Sequence, residues 1–75
     1  MADPIRINLA SPPDREHLVA EIMIGSEQWA EISQEAERPV VEIYPRRDGK
    51  PWSIELDIAV AALKEAAERL GSSSI

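Results

Sequence analysis

The side chains able to do chemistry are few. His17 is the sole histidine, and no serine–acid pattern surrounds it that would make it a base; it reads as a surface or packing residue at the start of a strand. The chain has no cysteine, which excludes thiol nucleophiles, thiolate zinc sites, iron–sulfur clusters and disulfides. Glu21, Glu31 and Glu42 are the candidate acid/base set. Their plainer reading is that they solvate the outer face of a sheet. Gly25, Gly49 and Gly71 are spread one to each turn or cap, so no glycine-rich loop can cradle a phosphate. Arg46-Arg47-Asp48-Gly49-Lys50 is the one basic cluster, able in principle to grip a phosphate or an acidic partner with Trp52 as a stacking surface. Asp48 and the acidic surroundings dilute it, and a solvated turn is the simpler reading. With so little machinery the expectation is a protein that is not an enzyme and that has no cofactor and no metal.

Composition narrows the classes further. The 75 residues carry 8 basic and 14 acidic side chains, a net charge of −6, which opposes approach to nucleic acid or to an anionic membrane. The length fits one domain, residues 1–75, and a hydrophobic fraction of 44% is that of a globular chain. At this size folding buries only about 60% of the unfolded surface, so a partner or a second copy is the natural outside support. The start of the chain lacks the basic and long apolar stretches of a secretory signal, and no apolar run approaches the roughly 20 residues that cross a bilayer. The cytoplasm is the expected location.

The elements that must position these residues follow from spacing. Ile5, Ile7 and Leu9 alternate with Arg6, Asn8 and Ala10 as in a short strand, which Ser11-Pro12-Pro13-Asp14 breaks. Leu56, Val60, Leu63, Ala67 and Leu70 recur at steps of four and three, predicting a helix over 56–70 with Asp57 in its first turn, Arg69 in its last and Gly71 as a left-handed terminator. Ser72–Ile75 is expected to fray, and residues 1–4 to be flexible. Val40–Tyr44 reads as a strand closed by Pro45, Asp48-Gly49 as a turn, and Trp52 as a plug joining helix to sheet. Residues 14–37 read two ways. Either they form two helices broken at Gly25, or they form a hairpin with Gly25-Ser26 at its tip and glycine at the first central position.

The hairpin register decides which residues share a face. A two-residue turn sets Ile22 opposite Trp29 and Val19 opposite Ile32; a three-residue turn sets Ile22 opposite Ala30 and Met23 opposite Trp29. Either way both sheet faces hold large apolar groups and one helix is available to cover them. One face must stay partly open, and it carries acids from the set Glu21, Glu31 and Glu42 with Tyr44 or Trp29 nearby. Trp29 itself reads equally as a core residue or an interface anchor.

The stretch Val41-Glu42-Ile43-Tyr44-Pro45-Arg46-Arg47-Asp48-Gly49-Lys50-Pro51-Trp52, followed by a helix with Leu56-Asp57 and Ala61-Ala62-Leu63, is similar to one found in a group of small bacterial proteins. So is Ala20-Glu21-Ile22 before a turn and then Gln28-Trp29-Ala30-Glu31-Ile32. Together they resemble predicted immunity proteins of polymorphic toxin systems, over roughly Leu18 to Leu70. The family pattern has an aromatic where this chain carries Ile54. The resemblance implies an α+β fold, which favours the hairpin, and a protein that binds a toxin domain and occludes it. It transfers no catalytic residue.

The expectation is therefore α+β: a small antiparallel sheet of about four strands with one long C-terminal helix packed on one face. The expected function is a non-enzymatic protein-binding module of the toxin-neutralising kind, its partner-binding residues Glu21, Trp29, Glu31, Glu42 and Tyr44. The alternatives are a nucleic-acid-binding regulator using Arg46–Lys50, and a small enzyme built on the three carboxylates. A symmetric homodimer, through open faces or sheet edges, is expected to hide exposed apolar surface, with repulsion among the acids as its weak point.

Overall fold

The computed structural model describes residues 4–14, 16–35 and 37–73. Four strands, β1 (Ile5–Ala10), β2 (Val19–Ile24), β3 (Glu27–Ser33) and β4 (Val40–Ile43), precede one helix, α1 (Leu56–Ser73). The strands form a single antiparallel sheet in the order β1-β2-β3-β4, and α1 lies against β1 and β2. The fold is α+β. Alternation in the sequence is what sorts the faces: Ile7, Ile22, Ala30 and Ile43 lie opposite one another across the four strands, as do Leu9, Ala20, Ile32 and Val41. These two rows form the face that meets the helix.

The 14–37 segment is the hairpin. Gly25 has φ +62°, and among the described residues no non-glycine residue has a positive φ, so the tip has the geometry of a turn with glycine first. Its register combines both readings of the sequence. Near the tip Ile24 faces Glu27 and Met23 faces Gln28, the pairing of a two-residue turn. A bulge then shifts the ladder, so that Ile22 faces Ala30, Glu21 faces Glu31 and Ala20 faces Ile32. Trp29 is the extra residue of that bulge and joins the buried cluster with Ala30 rather than alternating away from it.

The core lies between the sheet and α1. Ile22 and Leu70 are its largest fully buried side chains, with Ala20, Trp29, Ala30, Ile32, Ala62 and Ala66 around them. The small side chains of Ala62 and Ala66 let the helix approach the sheet closely. Trp52 and Ile54, in the segment that leads from β4 to α1, pack against the same cluster. Trp52 donates its indole N–H to the Tyr44 carbonyl at 2.8 Å, as befits a plug joining helix to sheet.

The helix departs from its sequence reading in three ways. It extends past Leu70 through Gly71 to Ser73, so Gly71 is helical and not a left-handed terminator. Arg69 consequently lies a turn before the end, and the last turn holds no base; Asp57 does occupy the first turn. Of the expected tail Ser72–Ile75, Ser72 and Ser73 belong to the helix, while Ser74 and Ile75 lie outside the described residues, as do residues 1–3. Pro4 is described, and its carbonyl accepts the Gly25 N–H at 3.0 Å. Finally, the apolar stripe meets the core only in its second half, where Leu63 and Ala67 pack against it and Leu70 is buried. Leu56 is 79% exposed and Val60 54%, while Ala59, Ala62 and Ala66 sit beneath.

The two glycines separate in their response to a methyl group. Gly25→Ala places an L side chain in the left-handed region and should cost about 1–2 kcal/mol. Gly71→Ala adds a Cβ that meets nothing within 4 Å in helical backbone, and should stabilise by about 0.5–1 kcal/mol. Urea midpoints of the two variants should therefore move in opposite directions; a loss for Gly71→Ala would restore the terminator reading.

Candidate functional site

The face of the sheet turned away from α1 gathers the three carboxylates. Asn8 faces Glu21, Glu21 faces Glu31, and Glu31 faces Glu42, so that β1 to β4 contribute one polar row. Cβ atoms of directly opposed residues stand about 4.5–5.5 Å apart, and like charges in that relation repel. The bulge is the device that brings this about. Without its one-residue shift, Glu21 would face Ala30 and the acids would be split between faces.

The row is graded in exposure. Glu42 is exposed, Glu21 half-buried, and Glu31 buried at 8% exposure. The simple solvated face expected from sequence thus fails at Glu31. Val19 and Ser33 alternate with Ala20 and Ile32, fall on the same outer face, and are also buried. At that end the β1–β2 and β3–β4 connections meet: the Glu35 carboxylate accepts the backbone N–H of Glu16 at 2.9 Å and of His17 at 3.0 Å. Sequence reasoning missed Glu35, and no motif marks it; it is found only by its position across 18 or 19 residues of chain.

The two aromatic members of the expected partner-binding set part company. Trp29 is 6% exposed within the core cluster, so of its two readings the core one describes its position. Tyr44 is half-buried, prolongs β4 by donating its backbone N–H to Trp29 O at 2.8 Å, and follows Glu42 by two residues on the strand. The structure therefore brings together Glu21, Glu31 and Glu42 in one row with Tyr44 beside its end, and places Trp29 among the helix-facing residues.

The basic loop is tied down by its own neighbours. The Arg46 guanidinium lies 5.4 Å from the Trp52 ring centroid, and its Nε, which has no hydrogen-bond partner, is 3.6 Å from Asp48. The Arg47 backbone N–H donates to Glu27 at 2.8 Å and its guanidinium to Ser26 O at 2.9 Å, fastening the loop to the hairpin tip. Gly49, at φ +78°, closes the turn by donating to Arg46 O at 3.0 Å, and Lys50 N–H donates to Asp48 at 2.9 Å. Both arginines thus have structural employment. Among the described residues no group of three or more His, Asp or Glu side chains could hold a metal ion, and no helix is long and apolar enough to cross a membrane.

Compared with protein-family models, curated proteins and solved structures, the chain finds no match.

The Trp52 hydrogen bond is the checkable joint between the loop and the sheet. Trp52→Phe keeps a ring in the gap but removes the donor to Tyr44 O, and should lower unfolding stability by about 1 kcal/mol beyond any packing change. An unchanged denaturation midpoint would remove this bond from the list of interactions that hold the loop.

Proposed function

We propose that this chain is a non-enzymatic protein-binding module of the toxin-neutralising kind, acting by binding and occlusion in the cytoplasm. The observation that supports the reading best is the alignment of Glu21, Glu31 and Glu42 across adjacent strands on one face. A cleft that binds nucleic acid or another polyanion is lined by cations, and a row of carboxylates on a chain of net charge −6 is its electrostatic counterpart. Long-range attraction raises the encounter rate by 10–10³-fold, and a sheet face then blocks the cleft by filling it. Glu42 and Glu21, the more exposed members, with Tyr44 at the end of the row, would make the contact. The resemblance of the segments around Glu21–Ile32 and Val41–Trp52 to predicted immunity proteins of polymorphic toxin systems points the same way.

The nucleic-acid reading rests on Arg46–Lys50, and it is disfavoured by what the Arg46 and Arg47 guanidinium groups already touch. The enzymatic reading would need the carboxylates to act on a substrate, and it draws no support from a nearby base or nucleophile.

The test uses the neighbouring reading frame. If that frame encodes a large secreted protein, its variable C-terminal domain should bind this chain, with an association rate that falls as salt rises. Charge reversal at Glu21→Lys together with Glu42→Lys should slow association at least tenfold while the circular dichroism spectrum is kept. Salt-dependent binding to DNA in physiological buffer instead would favour the regulator reading. An activity abolished by Glu21→Gln, Glu31→Gln or Glu42→Gln would favour the enzyme.

A further inference from the structure

We infer that β1 is a self-association edge, along which two copies of this chain pair antiparallel about a two-fold axis at Ile7. The argument is independent of the toxin-binding reading. In an antiparallel ladder alternate residues turn both backbone groups toward the neighbouring strand, and the others turn theirs away. The Gly25 N–H donates to Pro4 O, and with Ile5 opposite Ile24 this sets the phase of β1. Pro4, Arg6, Asn8 and Ala10 point their backbones at β2; Ile5, Ile7 and Leu9 point theirs outward. Arg69 Nη1 donating to Ile7 O at 3.4 Å, from the outer side, agrees with that phase.

Pairing centred on Ile7 suits this edge. Ile5 meets Leu9 of the second copy, Ile7 meets its own equivalent, and the outward N–H and C=O groups of the three residues pair across the axis, the Ile7 carbonyl accepting from the second copy beside its long contact with Arg69. On the outer face Arg6 lies opposite Asn8 of the second copy, so no like charges oppose. β1 carries no acid, and the row of carboxylates runs away from this edge toward β4. The repulsion that weighed against a dimer in the sequence is thereby removed.

The other edge is closed to the same operation. Tyr44 N–H donating to Trp29 O sets the phase of β4, leaving Val41 and Ile43 with outward backbones. Centring a pair on Glu42 sets that carboxylate against its own copy. Centring on Val41 places Ile43 opposite Pro39, and centring on Ile43 places Val41 opposite Pro45. Proline has no N–H to give. An edge of four residues between two prolines is the usual defence against strand addition.

Side chains above β1 complete the case. An open cleft of about 540 Å³ separates β1 from the α1 flank made by Ile58, Ala61, Glu65 and Arg69. Ile58, in its lining, is 37% exposed, and Leu9, next along β1 after the lining residue Asn8, is 39% exposed. With strands about 4.8 Å apart, helices lying over β1 and β2 of two copies stand about 10–14 Å apart. Direct helix packing occurs at about 8–10 Å, so the backbones clear each other while Leu9 and the Ile58 flank enter the shared cleft.

Sedimentation of the full chain at micromolar concentration should show a species of twice 8.3 kDa. Leu9→Pro removes an outward donor while sparing the ladder to β2, and should return the mass to that of the monomer. Val41→Pro, the equivalent change on β4, should leave the dimer intact. Because Leu9→Pro can also perturb folding, amide exchange on the unmodified chain gives a second reading. The N–H groups of Ile5, Ile7 and Leu9 should be protected in the dimer and become fast on dilution. A lone 8.3 kDa species with fast-exchanging amides at these three positions overturns the inference, as does a dimer that Val41→Pro dissociates and Leu9→Pro does not.

Discussion

One helix has to cover a four-stranded sheet, and it is too narrow to do so. An α-helix with its side chains is about 10–12 Å across, while four strands at about 4.8 Å spacing are wider by several ångströms. The position of α1 over β1 and β2 settles most of what remains. Ala20 and Ile22 of β2 are fully buried, whereas Val41 and Ile43 of β4, on the same face, remain 46% and 58% exposed. Trp29 and Trp52 fill the space between those extremes.

That placement also explains why the apolar stripe of the helix meets the core only in part. Ile58, Ala61, Glu65 and Arg69 flank β1, and on the opposite flank Leu56 and Val60 stay exposed while Leu63 packs against the core. The residues directly beneath the axis are alanines. Small side chains at Ala59, Ala62 and Ala66 bring the helix close, and the bulk that the core needs comes from the sheet and from Leu70. The connection from β4 does its share through the indole N–H of Trp52 and the packing of Ile54.

Charge is sorted by the same strand alternation. The acids Glu21, Glu31 and Glu42 share the face that the helix leaves alone, while Arg46 and Arg47 are held by Trp52, Ser26 and Glu27 at the hairpin tip. The row of acids thus shares its face with Arg6 of β1, while Arg46 and Arg47 are fixed in a loop. Such a distribution steers association with cationic partners more than it strengthens contact once made, because exposed pairs are screened and long-range fields are not confined to one contact.

How much of this was legible depended on whether a feature was local. The alternation in Ile5–Leu9, the strand formers of Val40–Tyr44 closed by Pro45, the double proline after β1, the glycine at the hairpin tip and the run of helix formers after Leu56 are local preferences, and the elements follow them. The resemblance chose hairpin over helices for the middle segment, where propensity was divided. Three outcomes required the assembled sheet. The bulge at Trp29 joined two registers that had seemed exclusive, because a buried indole on the helix side outweighed regular pairing. The helix ran through Gly71, since glycine permits a left-handed stop but does not impose one. The exposure of Leu56 and Val60, the first two residues of the helix's apolar stripe, accompanies the fit of Ala59, Ala62 and Ala66 against the core. Periodicity states that a helix has an apolar face; which part of that face is covered depends on the shape of what it meets. The sequence by itself thus determined β1, β4 and α1, through steric and hydrogen-bonding preferences of neighbours in the chain, and left the hairpin between them open. Tertiary packing alone decided the register, which part of the helix is covered and the alignment of the three carboxylates, because each rests on contacts between residues far apart in sequence.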